Sequence, residues 1–356
     1  MPLPENELIM TSQTIKSYRQ LVARRFFWAL FTASGLAIII IIDILVGPAF
    51  LNVFDVLASL VLPKASVDPM VYVIVHSIRL PMTLMAILVG ASLGIAGAQM
   101  QTILGNPLAS PYTLGFSAAA GFGAAVVILF GLQLPLIPEF TVPVAAFLTA
   151  SLACALVYGF AHVRGITSEI MILAGIATLF LFQSLQSLIQ YLAAPEVLQE
   201  IVFWLFGSML KATWFSVSVS GGILLISILL LARDSWKLTA LRLGDERARS
   251  LGINVPRLRL KIFIIVSFLT AGAVAFVGTI GFVGLVAPHI ARMLVGEDQR
   301  LFMPVSGIMG AIVMVGASIA SKVISPGAVV PIGIVTAIVG VPFLFALILT
   351  GKKRHW

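Results

Sequence analysis

Charged residues make up only 10% of this 356-residue chain, against about 25% in a soluble domain. With hydrophobic residues at 60%, that shortage excludes a water-soluble globular protein and places the chain in a membrane. Cysteine is nearly absent. Cys154 stands alone inside an apolar run, so no internal disulfide can form. No G-x-x-x-x-G-K-[ST] occurs, and Gly351-Lys352-Lys353 lacks both the first glycine and the Ser/Thr. The chain therefore has no phosphate-cradling loop for ATP. His76, His162, His289 and His355 are scattered, with no H-E-x-x-H, which argues against a zinc site. Gly278, Gly281 and Gly284 imitate a dinucleotide fingerprint, but apolar runs flank them instead of a strand and a helix. No nucleophile stands beside a base at motif spacing. The expectation is a non-enzyme with no cofactor and no metal of its own.

What is present is long apolar runs. A membrane-crossing helix needs about 20 mainly apolar residues. Ten stretches qualify: 26–47, 80–103, 112–131, 142–162, 168–193, 214–232, 260–278, 282–296, 303–322 and 331–350. Gly278-Thr-Ile-Gly281-Phe-Val-Gly284 is the only break between the seventh and the eighth. Residues 1–25 read as a polar N-terminal segment without a cleavage site, 26–350 as the membrane domain and 351–356 as a tail. Ten spans put both termini on one side. Lys64, Arg79, Lys211 and Lys322 then fall on the far side, and every other lysine and arginine on the terminus side. Such a bias sets the termini and the 233–260 loop in the cytoplasm. It also explains the formal charge of +8 without invoking nucleic acid.

Leu241–Arg259 is the one long polar island. Gly244 to Leu251 reads as a short helix, with Asp245 and Glu246 in its first turn, Arg247 and Arg249 following, and Gly252 placed to end it. Pro256 forbids simple continuation. Ala248 and Leu251 are three apart and share a face. So short a helix does not stand alone in water. The expectation is that it is held against the membrane helices and shown to a soluble partner.

Ionisable groups are nearly missing from the spans. Asp43 lies at the far end of the first and Glu169 at the start of the fifth. An ion-coupled pump needs such groups inside the membrane, so energy for uphill transport must come from a partner. Gln183, Ser187 and Gln190, with Gln186 beside them, form a polar stripe on the fifth span. It lines a watery path or makes interhelical hydrogen bonds, and the sequence leaves both open. After it, Pro195 opens a short helix with Glu196 and Glu200 near its start, then Phe203, Trp204 and Phe206, and Gly207 at its end. It is an interfacial anchor or the cap of a cavity. Small residues at Gly90–Gly94, Gly97 and Ala98, and from Ser117 to Ala125 with Gly121 and Gly123, imply closely packed helices.

Several stretches together resemble a known family. They are Arg79-Leu80-Pro81 with Leu88-Val-Gly-Ala-Ser-Leu-Gly-Ile-Ala-Gly-Ala-Gln99; Asn106-Pro-Leu-Ala-Ser-Pro111 with Leu114-Gly115; Leu243-Gly-Asp-Glu-Arg-Ala248 with Leu251-Gly252; Gly281-Phe-Val-Gly-Leu-Val-Ala-Pro-His-Ile-Ala-Arg292; and Pro331-Ile-Gly-Ile-Val-Thr336. In this order they resemble the FecCD/BtuC-like permease subunits of type II ABC importers, which take up iron-siderophores, haem or cobalamin. The resemblance implies an all-α membrane protein of about ten spans in two inverted pseudo-symmetric halves. It implies a permease dimer, homodimeric for preference, with membrane lipid around it in the bacterial inner membrane. ATP and Mg are bound by a separate pair of ATPase subunits below, and a periplasmic binding protein docks above.

Carried over by residue, ATPase coupling falls to Gly244, Asp245, Glu246, Arg247, Ala248, Leu251 and Gly252. Binding-protein docking falls to Arg79 and to Lys322, which stands where relatives have arginine. Relatives often read Arg-Leu-Pro-Arg at the first site; here Met82 replaces the last arginine. The resemblance also makes Gln183, Ser187 and Gln190 path-facing and turns Glu196, Glu200 and Phe203 into a gate helix. The cargo this implies is an iron-siderophore-type chelate, with haem or cobalamin as alternatives. A stand-alone secondary transporter or channel is the rival, and the lack of intramembrane charge counts against it.

Overall fold

The computed structural model describes residues 5–350 other than 48, 50, 136, 326 and 327, and only the backbone of 5–18, 347, 348 and 350. Residues 1–4 and the tail 351–356 lie outside the described residues. Every regular element among the described residues is helical: α1 Glu5–Leu45, α2 Val53–Val61, α3 Pro69–Val73, α4 Leu80–Leu104, α5 Phe116–Phe130, α6 Thr141–Arg164, α7 Ser168–Leu192, α8 Pro195–Leu205, α9 Trp214–Ala232, α10 Ser235–Leu241, α11 Asp245–Ser250, α12 Val255–Val277, α13 Val283–Val295, α14 Gln299–Val323 and α15 Ile332–Thr350. Polar residues start many of them. Asn52, Asp68, Thr167, Asn254 and Asp298 each accept a first-turn N–H, and Thr213 forms a reciprocal box with Ser216, satisfying donors that would otherwise be orphaned.

Each of the ten expected stretches holds a helix. Seven reach membrane-spanning length: Arg19–Leu45, Pro69–Leu104, Pro138–Arg164, Ser168–Leu192, Trp214–Ala232, Val255–Val277 and Gln299–Val323. Phe116–Phe130, Val283–Val295 and Ile332–Ala346 are apolar but shorter. Two boundaries differ from expectation. Residues 5–25 of the polar N-terminal segment are helical, and α1 runs unbroken from Glu5 into the first span. The second span begins at Pro69, since Asp68 caps α3 and a π turn, Ile74–Arg79, carries the helix into α4 without a stop. The break after the seventh stretch is resolved: α12 ends at Val277 and α13 starts at Val283.

The centre of the bundle is α4, buried along most of its length. Lipid is as apolar as leucine, so close approach of backbones must supply the attraction between helices. Glycine makes that possible here. A Cβ at Gly90 would strike the Gly310 carbonyl, one at Gly94 the Ser306 carbonyl, and one at Gly97 the Gly284 carbonyl. These contacts seat α4 on α14 and α13. A Cβ at Gly123 would meet Thr149 and the Ala145 carbonyl of α6. The small-residue stretches are thus the tightest helix crossings.

Candidate functional site

The polar island folds at the end of the bundle where α4 terminates. After α10 the chain turns through Gly244, whose φ of +101° suits a residue without a side chain. The six-residue α11 follows, and Gly252 at φ +79° ends it. Ala248 is fully buried, and the Ile253 N–H donates to its carbonyl at 3.1 Å. Leu251 is 52% exposed. The two therefore do not share a buried face: the chain is already turning at Leu251, which lies outside the α11 helix. Gly244, Glu246, Arg247, Arg249, Leu251 and Gly252 are all exposed, and Asp245 is half-buried.

Ion pairs hold this end. Buried Arg259, in the second turn of α12, donates both fork nitrogens to Asp245 at 2.7 Å each, and its Nε donates to the Ile103 carbonyl of α4 at 2.7 Å. Such a bidentate pair fixes direction as well as distance. Asp234, between α9 and α10, accepts from Lys237 at 2.8 Å and Lys261 at 2.5 Å. Burial pushes the Asp234 carboxyl up, but the two ammonium groups outweigh it and hold it below its ordinary value. Arg242 and Arg292 share Glu297, Arg292 at 3.0 Å, and Arg292 also donates to Gln101 at 2.7 Å. Burial lowers the pKa of Arg242. A cavity of about 400 Å³ opens beside α11, bordered by Thr102, Gly105, Thr167, Glu169, Gly244 and Asp245.

At the opposite end of α4 lie the two cations expected to meet a docking protein. Neither faces outward. Arg79 is 3% and Lys322 5% exposed. Arg79 donates to the carbonyls of Ile44 and Leu45 at 2.9 Å and of Ala49 at 2.7 Å. Lys322 donates to the Asp43 carboxylate at 2.8 Å and to its carbonyl at 3.0 Å; Thr83 donates to the same carboxylate at 2.5 Å. The cause is the end of α1. Its last carbonyls and a fully buried carboxylate need donors, and these two cations supply them. Sequence reading left Asp43 without a partner. A lone carboxylate in an apolar run is itself the signal that a buried cation waits elsewhere.

On α7, Gln183 and Ser187 are exposed and Gln190 half-buried. None of the three side chains makes a hydrogen bond among the described residues, so the stripe is not glue within one chain. The next helix, α8, buries Ile201 and exposes Glu196, Glu200 and Phe203, the last at 54%. It packs on α5 and α7 through apolar residues that include Ala125, Ile189 and Ile201. The stripe and α8 are thus consecutive and both uncovered.

The chain matches the FecCD transport family over residues 35–350. It is 35% identical over 313 residues to the Fe(3+)-citrate import system permease protein YfmD of Bacillus subtilis, covering 88% of this chain and 91% of that one. It is 30% identical over 322 residues to the hemin transport system permease protein HmuU of Yersinia pestis, covering 90% and 96%. A solved inward-facing structure of a metal-chelate type ABC transporter superposes with a TM-score of 0.79 at 30% identity, covering 90% of this chain and 98% of that one.

Proposed function

Because the chain belongs to the FecCD transport family, whose members similar to it are permease subunits of ABC transporters, we propose that it carries an iron-siderophore-type chelate into the cytoplasm under the drive of separate ATPase subunits. The observation that carries this reading is α11. It is a short charged helix clamped at its base by Asp245–Arg259, with Glu246, Arg247, Arg249 and Leu251 free to meet another protein. Gly244 and Gly252 set its two ends.

In this reading the α11 end faces the cytoplasm, as the lysine and arginine bias requires. The uncovered Gln183, Ser187 and Gln190 face a path between two permease copies, a homodimer for preference. The α8 helix with Glu196, Glu200 and Phe203 borders that path. ATP binding to the partners biases one of two arrangements of the bundle. Cargo selection rests mainly with a periplasmic binding protein, which meets the bundle through surfaces other than Arg79 and Lys322. Iron chelates are preferred to haem and cobalamin because an iron-citrate permease is among its nearer relatives.

The test is ATP-dependent uptake of labelled ferric siderophore by the assembled complex in liposomes, beside haem and cobalamin. Glu246→Ala/Arg247→Ala is expected to lower uptake by about tenfold or more and to weaken ATPase copurification, as loss of central interface contacts does. Full uptake by that variant removes α11 from the coupling role. Accumulation by the permease without any ATPase favours the stand-alone transporter.

A further inference from the structure

One helix touches both the element offered to the ATPase and the gate helix. Its first end is held by Arg259, whose guanidinium spends every direction of its fork on α11 and the end of α4. Its second end, about 27 Å from Arg259 at 1.5 Å per residue, is tied to the exit of α8. The Ser208 N–H donates to the Val277 carbonyl at 2.7 Å, and the Thr279 hydroxyl donates to the Leu205 carbonyl at 2.5 Å. Gly278 lies so close that a Cβ there would strike the Trp204 carbonyl. The same α8 exit receives the start of α15: the Gly333 and Ile332 N–H groups donate to the Phe206 and Gly207 carbonyls, each at 3.0 Å. Just beyond, Phe282 holds φ +67°, the only positive φ outside glycine among the described residues. A bulky residue there stores strain that its surroundings must sustain.

Between these ends α12 buries most of its residues, among them Leu258, Ile262, Phe263, Val266, Leu269 and Val274, while Arg257, Lys261, Ile264 and Phe268 are exposed. A close-packed interior does not deform continuously, so such a helix shifts as a unit. Resting on the reading of α11 as the ATPase-docking element, we infer that α12 is a strut that carries displacement of α11 to the α8 gate helix, and that Arg259 is the positioning residue that locks the strut to α11. The strut works by sliding at its Arg259 end and pulling or releasing the Val277–Thr279 knot at the other. Phe282 marks the place where the chain changes direction as this happens.

The experiment uses the complete importer in nanodiscs, with Cys154→Ala and Phe203→Cys, and follows the rate at which a methanethiosulfonate reagent modifies position 203 with and without a non-hydrolysable ATP analogue. In this background the nucleotide is expected to change the rate by about fivefold or more, the lower bound of ordinary allosteric coupling. Arg259→Gln should shrink that change to less than about twofold while the ATPase still copurifies. Asp245→Arg/Arg259→Asp re-forms the ion pair but leaves the Ile103 carbonyl without its donor, so it should restore the response only in part. Arg259→Lys keeps the charge but not the fork and should fall between. Thr279→Val, at the far end, should blunt the response without touching α11. A full nucleotide response in both Arg259→Gln and Thr279→Val overturns the strut. Should Arg259→Gln fail to assemble, Thr279→Val decides: a blunted response supports the strut and an unchanged one overturns it. No nucleotide response in the unsubstituted Arg259 protein overturns the strut, and the uptake measurement then decides the importer reading by itself.

Discussion

At one end of α4, Asp43, Lys322, Thr83 and Arg79 form a cluster that water scarcely reaches; the side chains of Asp43 and Lys322 are 0% and 2% exposed. At the other end, about 37 Å away, the charges around α11 are graded. Arg259 is 6% and Asp245 33% exposed, Lys237 and Lys261 are near half-exposed, and Glu246 and Arg247 are open. The first cluster is closed, with every charge answered inside the chain. The second is built outward from a closed base to an open rim. Breaking a buried pair leaves a charge with nowhere to go, whereas an exposed pair is close to neutral in stability. The closed cluster therefore holds α1 to α4 and α14, and the graded one leaves charge free for a partner.

The largest effect expected from breaking this contrast is at the closed end. Lys322→Met strands Asp43 and should lower stability by about 3–5 kcal/mol, read as the midpoint of an SDS titration in mixed micelles. Lys322→Met/Asp43→Leu should recover most of that loss, because an apolar pair of similar volume replaces a buried ion pair at little cost. A double variant no better than the single one means the cluster does more than hold α1.

Next is the packed middle that separates the two ends. Gly97→Ala forces α4 off the Gly284 carbonyl and should cost about 1–3 kcal/mol in the same titration. A neutral result means that α4 and α13 are free to part.

The smallest effect is at the graded end. Asp234→Asn removes the Lys237 and Lys261 pairs. The carboxylate is buried, but both lysines are half-exposed and can turn to water, so the cost should be about 1 kcal/mol. Because the folded pKa of Asp234 lies below its ordinary value, its contribution is present above the unfolded pKa of about 3.9 and is lost as pH falls through the lower folded value. The Asp234→Asn protein should therefore match the parent in acid and fall below it at neutral pH. Equal stability at both pH values removes the pair from the account.

The positions of the helices were legible because membrane length and apolarity are local quantities, as was the α11 turn between Gly244 and Gly252. The small-residue faces of α4 and α5 were legible for the same reason. What misled was charge. Arg79 and Lys322 read as surface cations because a sequence shows a cation without its acceptors. Those acceptors sit 30 to 35 positions away for Arg79 and 279 away for Lys322. Arg259 went unassigned because its meaning depends on Asp245 and on a carbonyl 156 positions earlier.

By itself, then, the sequence determined that the chain crosses a membrane many times, carries no P-loop pattern and concentrates its charge in one loop. Composition and run length decide those things, since lipid tolerates only helices whose backbone groups are satisfied within themselves. Only the tertiary structure decided which charges are used up inside and which remain for another protein. Pairing a buried ion is a question of which distant residues meet, and no local pattern encodes that.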